Sequence, residues 1–184
     1  MSFEADLIRF LQTNASNGWI TFFQVVTMLG SYLGFLIAFV IIFFKNKSLG
    51  IAFALTFAFG CVANFALKLL IARKRPFDEY SFIQNLGGED GFSMPSGHSV
   101  CAGMFATFLI YLLFSQTKNT STRVWGTICL SLFPVLIGFS RIILGVHYLS
   151  DVIVGIILGI IFAILGIWLY NRVIKNKVKV RMDK

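Results

Sequence analysis

The sequence predicts an all-α integral membrane protein, a bundle of about five transmembrane helices (six if the first segment is two) with a short interfacial helix at the N-terminus. Three observations lead there. Of the 184 residues, 57% are hydrophobic and 13% charged, where a soluble domain is about half apolar and about a quarter charged. The apolar residues fall in runs of roughly 20, the length that crosses a bilayer as a helix. Ionisable residues gather at the ends of those runs.

Residues 3–12, FEADLIRFLQ, read as a short amphipathic helix lying at the interface. The opening MSFEAD is acidic where a cleaved leader would be basic, so no leader is expected. The first span covers residues 20–44 and carries Gly30 and Gly34, so a break is expected there, with an interfacial part before Gly30. The next spans cover residues 49–71, 99–114, 124–144 and 148–170. The third is short and borrows length from residues 96–98. The chain is thus one membrane-embedded domain, residues 1–184. A loop, residues 72–95, joins the second and third spans, and a basic tail occupies residues 172–184. Cys61, Cys101 and Cys129 lie in apolar stretches and form no disulfide framework. In the last span Gly155, Gly159 and Ala163 are spaced by four, which lets helices approach closely. Packing inside the bundle is the expectation, and a homodimer contact is the alternative.

Charge orients the spans. One side holds Lys45, Lys47, Lys118, Arg123, Arg172, Lys175, Lys177, Lys179, Arg181 and Lys184, and the other Arg9, Lys68, Arg73, Lys74, Arg75 and Arg141. Ten against six places the tail in the cytoplasm, and the N-terminus and residues 72–95 outside a cell membrane. The same rule accounts for the net charge of +8 without a nucleic-acid partner.

Lys68 and Arg75 mark the outer end of the second span, His98 opens the third, Arg141 closes the fourth, and His147 and Asp151 open the fifth. Alternating topology brings these ends to one face. Three cations suit the oxygens of a phosphoryl group. Ser96 and Gly97 enter a helix whose N-terminal N–H groups can meet an anion. His147 and Asp151 are four apart and share a helix face, so the carboxylate can hold one ring nitrogen and leave the other free to attack. His98 can protonate a leaving oxygen. Each group also has an ordinary alternative: headgroup contacts for the histidines, a snorkelling anchor for Arg141, a lipid patch for Arg73-Lys74-Arg75. A metal site is disfavoured, because the histidines lack a ligand spacing and three cations would repel the ion. No metal or other cofactor is expected.

Residues 68–76, KLLIARKRP, residues 95–98, PSGH, and residues 140–151, SRIILGVHYLSD, together resemble the three motifs of the type 2 phosphatidic acid phosphatase family. All 11 specified positions are present in order. At about one in twenty per position and about a million placements, chance would supply well under one such match in a million chains. The resemblance implies a metal-independent lipid phosphatase. It makes His147 the nucleophile that becomes phosphohistidine, Asp151 its orienter and His98 the acid, with Lys68, Arg75, Ser96, Gly97 and Arg141 as phosphate ligands. The family shares its site with vanadium haloperoxidases, because vanadate mimics the pentacoordinate phosphorus. A soluble haloperoxidase does not fit this composition, and a scaffold or transporter would not need the full catalytic set.

The expected substrate is a lipid phosphate in the outer leaflet. Undecaprenyl diphosphate comes first, followed by phosphatidylglycerophosphate or phosphatidate, then lipid A. Arg73 and Lys74, beside Arg75, are the candidates for a second phosphate; pairing with the loop's own acids or with headgroups is the alternative.

Overall fold

The computed structural model of the protein describes residues 2–175, and all of its regular structure is helical. Helix α1 (Phe3–Asn14) starts at Ser2, whose hydroxyl accepts from the Ala5 N–H, and carries Glu4 and Asp6 in its first turn, where the helix dipole favours acids. It is docked: Ala5 and Ile8 are fully buried against Ile83, Ile142, Tyr148 and Val152.

The first span is bent. Helix α2 (Asn17–Thr27) passes through a tight turn (Met28–Gly30) into α3 (Tyr32–Lys45), with a 48° change of direction. Gly34 permits the bend, since a Cβ there would lie 1.7 Å from the Leu29 carbonyl oxygen. Gly30 lets the turn approach the site, because a Cβ there would lie 3.3 Å from that of His98. Eleven and 14 residues are each too few to cross a bilayer, so among the described residues there are four single-helix spans, and up to five with the bent pair counted as one.

Helix α4 (Lys47–Ile71) is capped by the Asn46 side chain and ends at Ala72, a non-glycine residue in the left-handed region (φ 49°). A single turn, α5 (Pro76–Glu79), follows. Helices α6 (Gly97–Gln116), α7 (Thr120–Ile143) and α8 (Leu149–Leu169) complete the bundle, and α8 continues as a wider turn (Tyr170–Lys175). The fourth span starts at Thr120, before its apolar run, because Asn119 caps Thr122. Arg172 lies over the Trp168 ring, whereas Lys177, Lys179, Arg181 and Lys184 of the basic tail lie outside the described residues.

Phe35, Phe53, Phe57, Phe105 and Phe108 stack in the core between α3, α4 and α6. Leu55, Phe59, Val62, Phe65 and Leu70 on the opposite side of α4 are exposed, as lipid-facing residues of a multi-pass membrane protein. The small-residue stripe of α8 belongs to the interior. A Cβ on Gly159 would lie 2.2 Å from the Val100 carbonyl oxygen, one on Gly155 would lie 2.7 Å from that of Ser96, and Ala163 is fully buried. The packing expected inside the bundle is what α6 of the same chain provides at Gly155 and Gly159.

Candidate active site

The C-terminal ends of α4 and α7 and the N-terminal ends of α6 and α8 meet at one end of the bundle, beneath α1 and residues 72–95. Arg75 is the hub. It is 2% exposed, and its Nε donates to the Gly91 carbonyl at 2.9 Å. One terminal nitrogen donates to the Val146 carbonyl at 2.9 Å and lies 3.4 Å from His147 Nε2; the other reaches the Asp90 carbonyl at 2.8 Å and Glu89 Oε2 at 3.1 Å. Arg141, 1% exposed, donates to Thr27 Oγ1 at 2.8 Å and forms a short ion pair with Glu89 Oε1. Its buried Nε–H has no partner among the described residues. Lys68 stands beside them and donates to the carbonyls of Phe92 and Ser93.

The turn at Gly145 (φ 74°) brings His147 back under α7, because the Gln84 carbonyl oxygen sits where a Cβ would lie. His147 is 1% exposed. Its Nδ1 is 3.5 Å from Asp151 Oδ2 and 3.4 Å from Ser93 Oγ, so Nε2 is the nitrogen turned toward the guanidiniums. Burial pushes the ring's pKa down to about 4, although the bond to Asp151 pulls the other way, which favours the neutral ring at pH 7. Asp151 is fully buried. Its Oδ2 accepts from the Tyr148 N–H at 2.9 Å and from Ser93 Oγ.

Ser96 caps α6, its oxygen accepting from the Ser99 N–H and hydroxyl, and its own N–H donates to the Asp151 carbonyl. That bond ties the second motif to the third. Gly97 is the first residue of α6, and His98 follows with its Nδ1 3.6 Å from Glu89 Oε1. A cavity of about 230 Å³, bounded by Gly30, Tyr32, Asn64, Gly97 and His98, adjoins His98.

The structure therefore brings together Lys68, Arg75, Gly97, His98, Arg141, His147 and Asp151, with Ser96 at the helix cap. It places Arg73 and Lys74 elsewhere. Arg73 reaches Asp151 Oδ1 at 2.7 Å and Glu4 Oε2 at 3.0 Å, over the Tyr148 ring, so its guanidinium is engaged and not free for a second phosphate. Among the described residues its partners are Glu4, Ser150 and Asp151, none of them an acid of residues 72–95. Lys74 is exposed, with no ion pair among the described residues.

Sequence reasoning missed Glu89, Ser93, Thr27 and Glu4. Thr27 left a signal, a polar residue inside an apolar run. Glu89 left only its acidic loop, yet its carboxylate occupies the centre of the site. Burial opposes its charge, but Arg141 and Arg75 outweigh it and hold the carboxyl below the usual range. A single anion thus sits between two guanidiniums, with His98 beside it and His147 Nε2 on the Arg75 guanidinium. The arrangement can bind a tetrahedral anion, attack it from one side and protonate a leaving oxygen on the other.

A model of the PAP2 superfamily matches residues 48–175, which include all three motifs. The chain is 33% identical over 120 residues to phosphatidylglycerophosphatase B of Bacillus subtilis, covering 65% of this chain and 57% of that protein. It is 30% identical over 123 residues to undecaprenyl-diphosphatase of Sulfolobus acidocaldarius, covering 66% of this chain and 55% of that one. It spans little more than half the length of these curated relatives. The crystal structure of a transmembrane PAP2-type phosphatidylglycerolphosphate phosphatase from Bacillus subtilis superposes with a TM-score of 0.79 at 26% identity, over 92% of this chain and 85% of that one.

Proposed function

The chain belongs to the PAP2 superfamily, and we propose that it hydrolyses the phosphate of a membrane lipid without a metal, through a phosphohistidine at His147. The observation that carries this reading is the Glu89 carboxylate held by Arg75 and Arg141 beside His98, with His147 Nε2 on the same Arg75 guanidinium. A phosphoryl group entering the site displaces that carboxylate and takes over its cations, including the unpartnered Arg141 Nε–H. His147 Nε2 attacks phosphorus as the bond to the leaving oxygen breaks. Asp151 accepts the Nδ1–H bond and stabilises the positive ring. His98 gives its proton to the leaving oxygen, with the lipid moiety in the adjoining cavity. His98 then takes a proton from water, which cleaves the phosphorus–nitrogen bond and releases inorganic phosphate.

The engagement of Arg73 withdraws the ground for placing a diphosphate first. Similarity, in sequence and in structure, to Bacillus subtilis phosphatases of phosphatidylglycerophosphate moves that lipid to the front. Undecaprenyl diphosphate becomes second, and phosphatidate and lipid A remain in the panel. Phosphate release from these lipids in detergent is expected to survive excess chelator and to be blocked by vanadate. Glu89→Gln should bind vanadate about ten-fold more tightly, the value of one charge-assisted bond no longer in competition. Activity lost to chelator and restored by divalent ions would overturn the metal-free mechanism. Unchanged or weaker vanadate inhibition in Glu89→Gln would show that the carboxylate does not compete for the phosphate position.

We further propose that the site faces outward across a cell membrane, on the ten-to-six charge asymmetry. Ser81 is exposed in the loop over the site. Ser81→Cys is expected to react with an impermeant thiol reagent in intact cells, and labelling only after lysis would reverse the topology.

A further inference from the structure

We propose that Arg73 and Glu4 are positioning residues for the catalytic carboxylate, so that the interfacial helix α1 completes the active site from the membrane surface. The inference rests on the assignment of His147 as nucleophile and Asp151 as its orienter. Past the left-handed turn at Ala72, two arginines of one basic run reach different partners. Arg75 enters the phosphate pocket, and Arg73 goes behind it to Asp151. One terminal nitrogen of Arg73 donates to both Asp151 Oδ1 and Ser150 Oγ, each at 2.7 Å. The other donates to Glu4 Oε2 at 3.0 Å, and the remaining Glu4 oxygen accepts the Ser150 N–H at 2.7 Å. Glu4 therefore caps the first turn of α8 from another helix and braces the guanidinium at the same time.

The geometry around Asp151 explains why this matters for chemistry. Oδ2 is committed to Ser93 and the Tyr148 N–H and faces His147 Nδ1. Oδ1 has Arg73. With Arg73 removed, a fully buried carboxylate loses its countercharge and the bond that sets its rotation, and the imidazole loses a fixed partner. The contact of α1 with the loop is independently pinned. Gln12 Nε2 donates to the Gln84 carbonyl at 2.9 Å, and the Gln84 N–H donates back to Gln12 Oε1 at 3.0 Å. Glu4 thus stays in register with Arg73.

The test is a kinetic series on the full-length protein in detergent, with phosphatidate and undecaprenyl diphosphate as substrates. Arg73→Met is expected to lower kcat roughly ten- to a hundred-fold with little change in KM, by the same factor on both lipids. Arg73→Lys should recover part of that loss, and Glu4→Gln should lose about three- to ten-fold. Asp6→Asn, an exposed acid on the same helix, should stay within about two-fold of wild type. A loss confined to undecaprenyl diphosphate, or a loss in KM alone, would return Arg73 to the substrate and overturn the proposal. Wild-type kcat in Arg73→Met and Glu4→Gln would overturn it too. If Arg73→Met fails to fold, Glu4→Gln and Arg73→Lys decide by the same split between kcat and KM. An inactive wild-type protein would instead refute the phosphatase reading itself, which keeps the two failures distinct.

Discussion

His147→Ala is expected to release no measurable phosphate from any lipid that the wild-type protein hydrolyses, a loss of roughly 10⁴-fold or more. The size follows from the lack of a substitute. Nε2 faces the guanidinium of Arg75, whereas the other histidine, His98, has its Nδ1 3.6 Å from Glu89 Oε1. Loss of the ring should leave the site standing, because Asp151 keeps Ser93, the Tyr148 N–H and Arg73. The melting temperature in detergent should therefore stay within a few degrees of wild type, separating a chemical defect from a folding one. Phosphate release near the wild-type rate would remove His147 from the reaction.

Gly155→Val is expected to cost both stability and activity. A Cβ at Gly155 would lie 2.7 Å from the Ser96 carbonyl oxygen and 2.9 Å from the Ser99 Cβ, and helix backbone cannot yield as a flexible side chain does. Overpacking of this kind costs about 1–3 kcal/mol. Here it also falls on the joint between Asp151, one turn before Gly155, and His98, between Ser96 and Ser99. Turnover should drop by about a hundred-fold or more as the acid and the nucleophile's orienter are pushed apart, with a lower melting temperature. Ile157→Val, on the exposed lipid side of α8, should change neither. A Gly155→Val protein with wild-type activity and stability would show that α6 and α8 do not meet there.

Much of this was legible in the sequence, for a physical reason. A bilayer forces apolar runs to span it and makes each ionisable residue at a span end costly. Lys68, His98, Arg141, His147 and Asp151 could therefore be assigned to one face before any geometry was known. Gly30 and Gly34 likewise marked the break in the first span. The partners that loops and docked helices supply were not legible. Arg73 and Arg75 are two residues apart and look alike in sequence. Only their partners in the fold, Glu4 and Asp151 for Arg73 and Glu89 and the Val146 carbonyl for Arg75, tell them apart. Glu89 is one of four acids in residues 72–95, and nothing in its neighbours shows that its side chain enters the pocket. Ser93 lies outside the motif that begins at Pro95, yet it bonds the Asp151 carboxylate beside His147.

The central claim is covalent catalysis by His147, and trapping the intermediate tests it most directly. Wild-type protein is mixed with lipid carrying a labelled phosphate, stopped within the first turnover in alkaline detergent, and digested for mass spectrometry. Label is expected on His147, stable to alkali and lost in acid, with no labelled protein from His147→Ala. Label on another residue, or a full turnover of released phosphate with no labelled protein at any time point, would contradict it.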